Sequence, residues 1–183
     1  MENVYEVSNF LLPEELGVIE LMMKDSKLEK EDGVLGRILY TVPIPDEINE
    51  AIEQRVERLV GRKLDAISAS FAEYSSKYGQ PNLPPHFDGD TNSLIIDYQY
   101  KGNTSWGLGV DTTVFDMENN KAIIFNPNEY PHWRPHKIFE EGEVITMIFF
   151  RFPDGSGKTD YSHKRYSQQD EIFADIRKIR DNL

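Results

Sequence analysis

Ala66-Ile67-Ser68-Ala69-Ser70-Phe71-Ala72-Glu73-Tyr74 is where the hydrophobic period of this chain changes to two. Successive side chains of a strand point to opposite faces, so alternation over this length describes a half-buried strand. The pattern then recurs. Ser93 to Tyr100, Trp106 to Val110, Thr112 to Asp116, Ala122 to Phe125 and Val144 to Phe152 all read as strands. Lys101-Gly102-Asn103, Glu118-Asn119-Asn120 and Pro127-Asn128-Glu129 supply turns between them. Many short strands at regular spacing predict a β-sandwich or barrel.

Upstream of this run the period is helical. Pro13 suits the first turn of a helix, Glu14 and Glu15 favour its N-terminal dipole, and Leu16, Ile19 and Met22 or Met23 recur on one face. Asp46 reads as the N-cap and Gly61 as the stop of a second helix. Its stripe is Ile48, Ile52, Val56 and Leu59, with Glu50, Glu53 and Glu57 left to water. Val4 to Val7 reads as a short opening strand and Asp25 to Gly36 as a polar loop. A last helix is predicted from about Ser167, with Ile172, Ile176 and Ile179 on its apolar side, after a turn at Pro153 to Gly157. The fold class expected is mainly β with flanking helices (α+β).

Residues 1–183 form one expected domain, with 39% hydrophobic content for a core and 28% charged residues for a soluble surface. Twenty basic against 32 acidic residues give a net charge of −12, which makes nucleic acid an unlikely partner, since phosphate is met by Lys and Arg. A chain without cysteine has no disulfide, thiolate metal site, iron–sulfur cluster or thiol nucleophile. Glu2 and Glu6 stand where a signal peptide has basic residues, and no apolar run approaches the roughly 18 residues of a membrane span. The expectation is cytoplasmic. Oligomeric state is not encoded in these patterns.

Two short stretches carry the chemistry: Pro84-Pro85-His86-Phe87-Asp88 and Tyr130-Pro131-His132-Trp133-Arg134. Residues i and i+2 of a strand share a face, so His86 converges with Asp88, and His132 with Arg134. Two imidazoles and one carboxylate make the facial triad that binds non-haem Fe(II) with open positions. The 46 residues between the histidines leave room for several strands that could return the chain to one barrel mouth. His136 is the rival to His132, which is preferred because Arg134 shares its face. The bland alternatives are an exposed loop histidine, a turn-forming Asp88 and a structural His132 packed on Trp133. His163 reads as a solvated loop residue.

Taken together, Val7 to Leu16, Tyr78-Gly79, Pro85-His86-Phe87-Asp88, the strand at Ser93 to Tyr100, Ala122 to Phe125, and His132 followed by Gly142 and a strand resemble the Fe(II)- and 2-oxoglutarate-dependent oxygenases, nearest their prolyl 4-hydroxylase-like branch. The resemblance covers most of the chain. It implies a double-stranded β-helix (jelly-roll, cupin-like) core, iron ligands His86, Asp88 and His132, and Fe(II), 2-oxoglutarate and O₂ as cofactor and co-substrates, with ascorbate as a possible reductant. The implied reaction hydroxylates a peptidyl or small-molecule substrate and yields succinate and CO₂. A carboxylate at Asp88 argues for hydroxylation, because related halogenases leave that position empty.

The chain departs from the family pattern at one important place. Where the family carries an Arg or Lys for the distal carboxylate of 2-oxoglutarate, this chain has Val144. Thr146 matches a family Ser or Thr on the same carboxylate, and Tyr78 (or Tyr74) a pocket tyrosine. The cation is expected from Arg134 first and Arg151 second, because a guanidinium suits bidentate carboxylate binding. Trp106 to Val110 matches the family poorly. Two other classes stay open: a cupin-like metal enzyme that does not use 2-oxoglutarate, and a non-catalytic β-barrel interaction module.

Overall fold

The structure, a computed structural model, describes residues 1–32, 35–88, 92–153 and 168–183. In chain order it contains β1 (Tyr5–Ser8), α1 (Pro13–Met23), β2 (Lys27–Asp32), β3 (Arg37–Thr41), α2 (Asp46–Val60), β4 (Ser68–Ser75), β5 (Asn92–Gly102), β6 (Leu108–Val110), β7 (Thr113–Phe115), β8 (Lys121–Phe125), β9 (His132–Trp133), β10 (Val144–Pro153) and α3 (Gln169–Arg180). The predicted turn at residues 153–157 lies outside the described residues apart from Pro153, and so does His163.

The strands form two antiparallel sheets. The larger has seven strands in the order β1-β8-β5-β10-β4-β3-β2, and the smaller has three in the order β7-β6-β9. β10 is the spine of the larger sheet, pairing with β4 from Val144↔Ser75 to Arg151↔Ser68 and with β5 on its other side. Its pairing with β4 is unbroken, so side chains alternate cleanly along it. Ile148, Phe150 and Phe152 face Ile19 of α1 and Ile52 and Val56 of α2 in one core. Ile145 and Met147 face a second core built with Leu108 and Val110 of β6, Trp106 and Phe139. That strict division follows from the period of two. The site lies between the sheets, on the second of these faces.

The helices hold the outer face. Glu15 of α1 meets Arg55 of α2 at 2.6 Å and also accepts the Leu12 backbone N–H, which ties the two helices together at the start of α1. Gly61 ends α2 in the left-handed region (φ 72°), as its sequence predicts. Asp46 corrects by one residue: Pro45 flanks the helix and Asp46 sits in the first turn. Glu57 is not left to water, because it takes Lys63 and the Leu64 N–H.

Two further expectations change. The predicted loop Asp25 to Gly36 contains strand β2, paired only with β3 at the sheet edge. Lys27-Leu28-Glu29-Lys30-Glu31-Asp32 reads as loop because its charge hides the strand, yet charge is how natural sheets blunt an exposed edge. On α3 the buried face is Phe173, Ile176 and Arg180, with Ile172 and Ile179 only half-buried. An arginine on a buried helical face has a specific use, described below.

Candidate metal centre

His86 and His132 are partners in a two-residue antiparallel bridge. The His86 N–H donates to the His132 carbonyl at 3.1 Å, and the His132 N–H to the His86 carbonyl at 2.9 Å. The Arg134 N–H then donates to the Leu83 carbonyl at 3.0 Å, so the loop carrying His86 is zipped along the strand carrying His132. The two imidazoles are held side by side, ring centroids 4.2 Å apart and tilted by 50°. Asp88, two residues after His86, places Oδ1 3.8 Å from His86 Nε2 and 3.3 Å from His132 Nε2. Donor atoms of all three lie within 4.8 Å of one another.

This donor set fits a divalent first-row metal. Two imidazole nitrogens and one carboxylate oxygen would supply three of the metal's ligands, and the remaining positions would fall to other groups. His86 Nδ1 lies 2.8 Å from the Pro84 carbonyl. With Nδ1 as donor the lone pair sits on Nε2, towards the other two donors, as metal-binding histidines are usually oriented. Burial, then the charge of His132, lowers the His86 pKa. Burial opposes the charge of Asp88, but the hydrogen bond and charge of His132, with the charges of His86 and Arg151, outweigh it and hold its carboxyl below the usual range. His136 stands elsewhere, 3.5 Å from Asp181 and largely exposed, so His132 is the histidine the fold brings to His86 and Asp88.

The triad opens into a cavity of about 310 Å³. Its polar lining includes Arg37, Tyr74, Asp97, Arg134 and Arg151, against apolar walls such as Ile95, Leu108 and Phe149. Arg134 is 3% exposed. Its Nη1 donates to the Trp106 and Gly107 carbonyls at 3.3 and 3.1 Å, and its Nη2 lies 3.8 Å from Asp97 Oδ2. The guanidinium also sits 4.9 Å from the Trp106 ring centroid. Burial lowers the Arg134 pKa against the opposing charge of Asp97. Arg151 is half-buried and donates to the Ser70 hydroxyl at 2.8 Å.

Two expected cavity residues are elsewhere. Thr146 lies on the opposite face of β10 from Met147, Phe149 and Arg151, as does Val144, because all differ from them by odd steps on an unbroken strand. The Tyr78 hydroxyl donates to Glu73 at 3.0 Å in a short turn outside the cavity lining. Tyr74 is the tyrosine of the cavity; its hydroxyl accepts from Arg37 at 3.1 Å and its ring meets the Trp106 edge at 5.0 Å.

Sequence reasoning missed Arg37, Asp97 and Arg180. The short run Ile38-Leu39-Tyr40-Thr41 of β-formers beginning at Arg37 was a signal for the first, and an acid inside the apolar run Leu94-Ile95-Ile96-Asp97 for the second. Arg180 had none. From α3 its Nε donates to the Arg134 carbonyl at 2.8 Å and its Nη2 to Asn82 at 2.9 Å, while Phe173 stacks on Phe87 at 5.7 Å. The C-terminal helix thus holds both site-bearing segments.

The arrangement has relatives among solved structures. A prolyl-4-hydroxylase from Pseudomonas putida superposes with a TM-score of 0.60 over 82% of this chain and 92% of that one, at 14% identity. An oxidoreductase of the 2OG-Fe(II) oxygenase family from Burkholderia pseudomallei gives 0.62 over 85% and 86%, at 8% identity. This chain shares their fold. No family model and no curated protein matches its sequence. No helix among the described residues is long and apolar enough to cross a membrane.

Proposed function

We propose that this protein is a 2-oxoglutarate- and Fe(II)-dependent dioxygenase that hydroxylates a small-molecule or peptidyl substrate inside a double-stranded β-helix core. The observation that carries the reading is the convergence of His86, Asp88 and His132 on one wall of a cavity lined by arginines. Bound Fe(II), with 2-oxoglutarate and O₂, would supply oxidative decarboxylation to succinate and CO₂ coupled to hydroxylation of a C–H bond.

The chain's own part is to bind, orient and exclude. His86 and His132 would offer ring nitrogens and Asp88 a carboxylate oxygen to the metal, a donor set that leaves positions for other ligands. Ile95, Leu108 and Phe149 keep the cavity wall dry, which strengthens every charge interaction within it. A dianionic co-substrate needs a cation beyond the metal, and Arg134 and Arg151 are the two expected from the sequence. Each charge-assisted hydrogen bond to its far carboxylate is worth roughly 1.5–3 kcal/mol.

The test is incubation of the purified protein with Fe(II), ascorbate and 2-oxoglutarate, with succinate as the readout. Iron binding without 2-oxoglutarate binding or turnover refutes the proposal. One observation favours a second reading, a cupin-like metal enzyme that does not use 2-oxoglutarate: Asp97 sits 3.8 Å from Arg134 and balances its charge. That reading gains if Arg134→Ala and Arg151→Ala both leave 2-oxoglutarate affinity unchanged.

A further inference from the structure

Two carboxylates are buried among the described residues, and they are held differently. Glu15 is 3% exposed, meets Arg55 at 2.6 Å and accepts the Leu12 N–H at 2.8 Å. Asp97 is 5% exposed, and its carboxylate accepts no hydrogen bond from the described residues. Its ion-pair partner is Arg134, whose Nη2 stands 3.8 Å away, well beyond the roughly 2.7–2.9 Å of a charge-assisted hydrogen bond. Arg134 directs its donors elsewhere, Nη1 to the Trp106 and Gly107 carbonyls and Nη2 to Met147 Sδ at 3.7 Å. Asp97 lies mid-strand on β5, paired with Phe149 of β10 on one side and Ile123 of β8 on the other. Ile96 and Tyr98 of that strand join the core under the helices, whereas Ile95 and Asp97 line the cavity of the metal centre. A dehydrated carboxylate without donors is costly to keep, and Asp97 can gain them only from the cavity side.

We propose that Asp97 is a substrate-recognition residue, accepting a hydrogen bond from an uncharged N–H or O–H group of the molecule to be oxidised. Asp97 shares one cavity with His86, Asp88 and His132, and its charge is felt at the His86 ring. Charge selects the class of group. An ammonium at Asp97 would meet the like charge of Arg134, and a carboxylate beside Arg134 would meet Asp97 itself. An amide or a hydroxyl meets neither penalty, while Ile95, Leu108 and Phe149 take the apolar remainder of the molecule. The proposal rests on the oxygenase reading only for calling that molecule a substrate.

The experiment uses the Mn(II)-loaded protein without O₂, with and without 2-oxoglutarate, and follows the broadening of probe proton resonances by the metal. The probes are propionamide, N,N-dimethylpropionamide and propylammonium, which share a three-carbon chain and differ in donor and charge. Propionamide should bind about 10- to 100-fold more tightly than its dimethyl derivative. Asp97→Ala should erase that ratio, and Asp97→Asn, which keeps an acceptor oxygen without the charge, should retain part of it. Absent or equal binding of the two amides to wild-type protein overturns the proposal without any variant. An unchanged ratio in Asp97→Ala, with wild-type circular dichroism, overturns it too. Tightest binding of propylammonium overturns the uncharged class, and displacement of propionamide by 2-oxoglutarate overturns the assignment to the substrate. Wild-type protein that binds Mn(II) but not 2-oxoglutarate overturns the oxygenase reading instead, and the amide ratio on the Mn(II) form still tests Asp97.

Discussion

Gly109→Ala perturbs the metal centre without touching a metal ligand. Gly109 of β6 pairs with Trp133 of β9, and the next pair is Val110 with His132. A Cβ added at Gly109 would fall within the Trp133 indole, at Cε2, Cδ2 and Nε1. The ring has nowhere to go. Trp133 is 1% exposed, and its Nε1 donates to the Asp111 carbonyl at 2.9 Å. Overpacking of this kind costs about 1–3 kcal/mol, and a displaced indole also loses a hydrogen bond of about 1 kcal/mol. The expected sum is about 2–4 kcal/mol, a fall in Tm of roughly 4–16 °C for a chain of this size. Because His132 moves with Trp133, Co(II) affinity should fall in the same variant. Gly17→Ala is the control: it lies inside α1 with nothing within 4 Å of its added Cβ, and should stabilise by about 0.5–1 kcal/mol. Thermal unfolding by circular dichroism and Co(II) titration by absorbance check both. A Gly109→Ala protein with wild-type Tm and Co(II) affinity refutes the packing described for the minor sheet.

Other predictions follow from the same geometry. Asp88→Asn and His86→Ala should abolish tight Co(II) binding while keeping the far-ultraviolet spectrum; metal analysis after desalting reads this. Metal at 100 times its Kd should raise wild-type stability by about 2.7 kcal/mol, or about 5–11 °C in Tm, and neither variant should respond. Arg180→Ala frees the Arg134 carbonyl and Asn82 together, and should cost about 1–3 kcal/mol in urea unfolding and weaken metal binding. Glu143 is held at a pKa of about 2 by the Thr104 hydroxyl, the Glu140 N–H and Lys137. A depressed carboxylate stabilises above its unfolded pKa, near 4.5, and that contribution is lost as pH falls towards 2. Glu143→Gln should therefore flatten the acid limb of the stability profile between those values, lowering stability in the neutral range and changing little near pH 2.

What the sequence revealed depended on local signals. The short apolar runs at Ser68–Ser75 and Val144–Pro153 made both strands legible, while i, i+2 spacing paired His86 with Asp88 and His132 with Arg134 and the family resemblance joined the two pairs. Lys27–Asp32 was not legible, because an edge strand satisfies only one side and can carry charge at every exposed position. Thr146 was misplaced by matching a motif without its parity: one step along β10 changes sides. Arg134 was placed on the cavity wall as expected, but its partner Asp97 comes from another strand. Arg180 reaches Asn82 across 98 residues, a contact no local pattern encodes.

The reciprocal hydrogen bonds between His86 and His132 bear on how the protein acquires its ion. Closing the 46-residue loop between these residues costs about 3 kcal/mol in chain entropy, and backbone pairing of the intervening strands meets that cost during folding. The ion is not needed to gather its ligands. It arrives at two histidines whose backbones are already paired, so loading should proceed at the pace of ion entry and dehydration. Zinc-finger-like chains, whose folding waits on their metal, behave in the opposite way. A chelator-stripped sample should recover its ion within one mixing step and without a refolding phase.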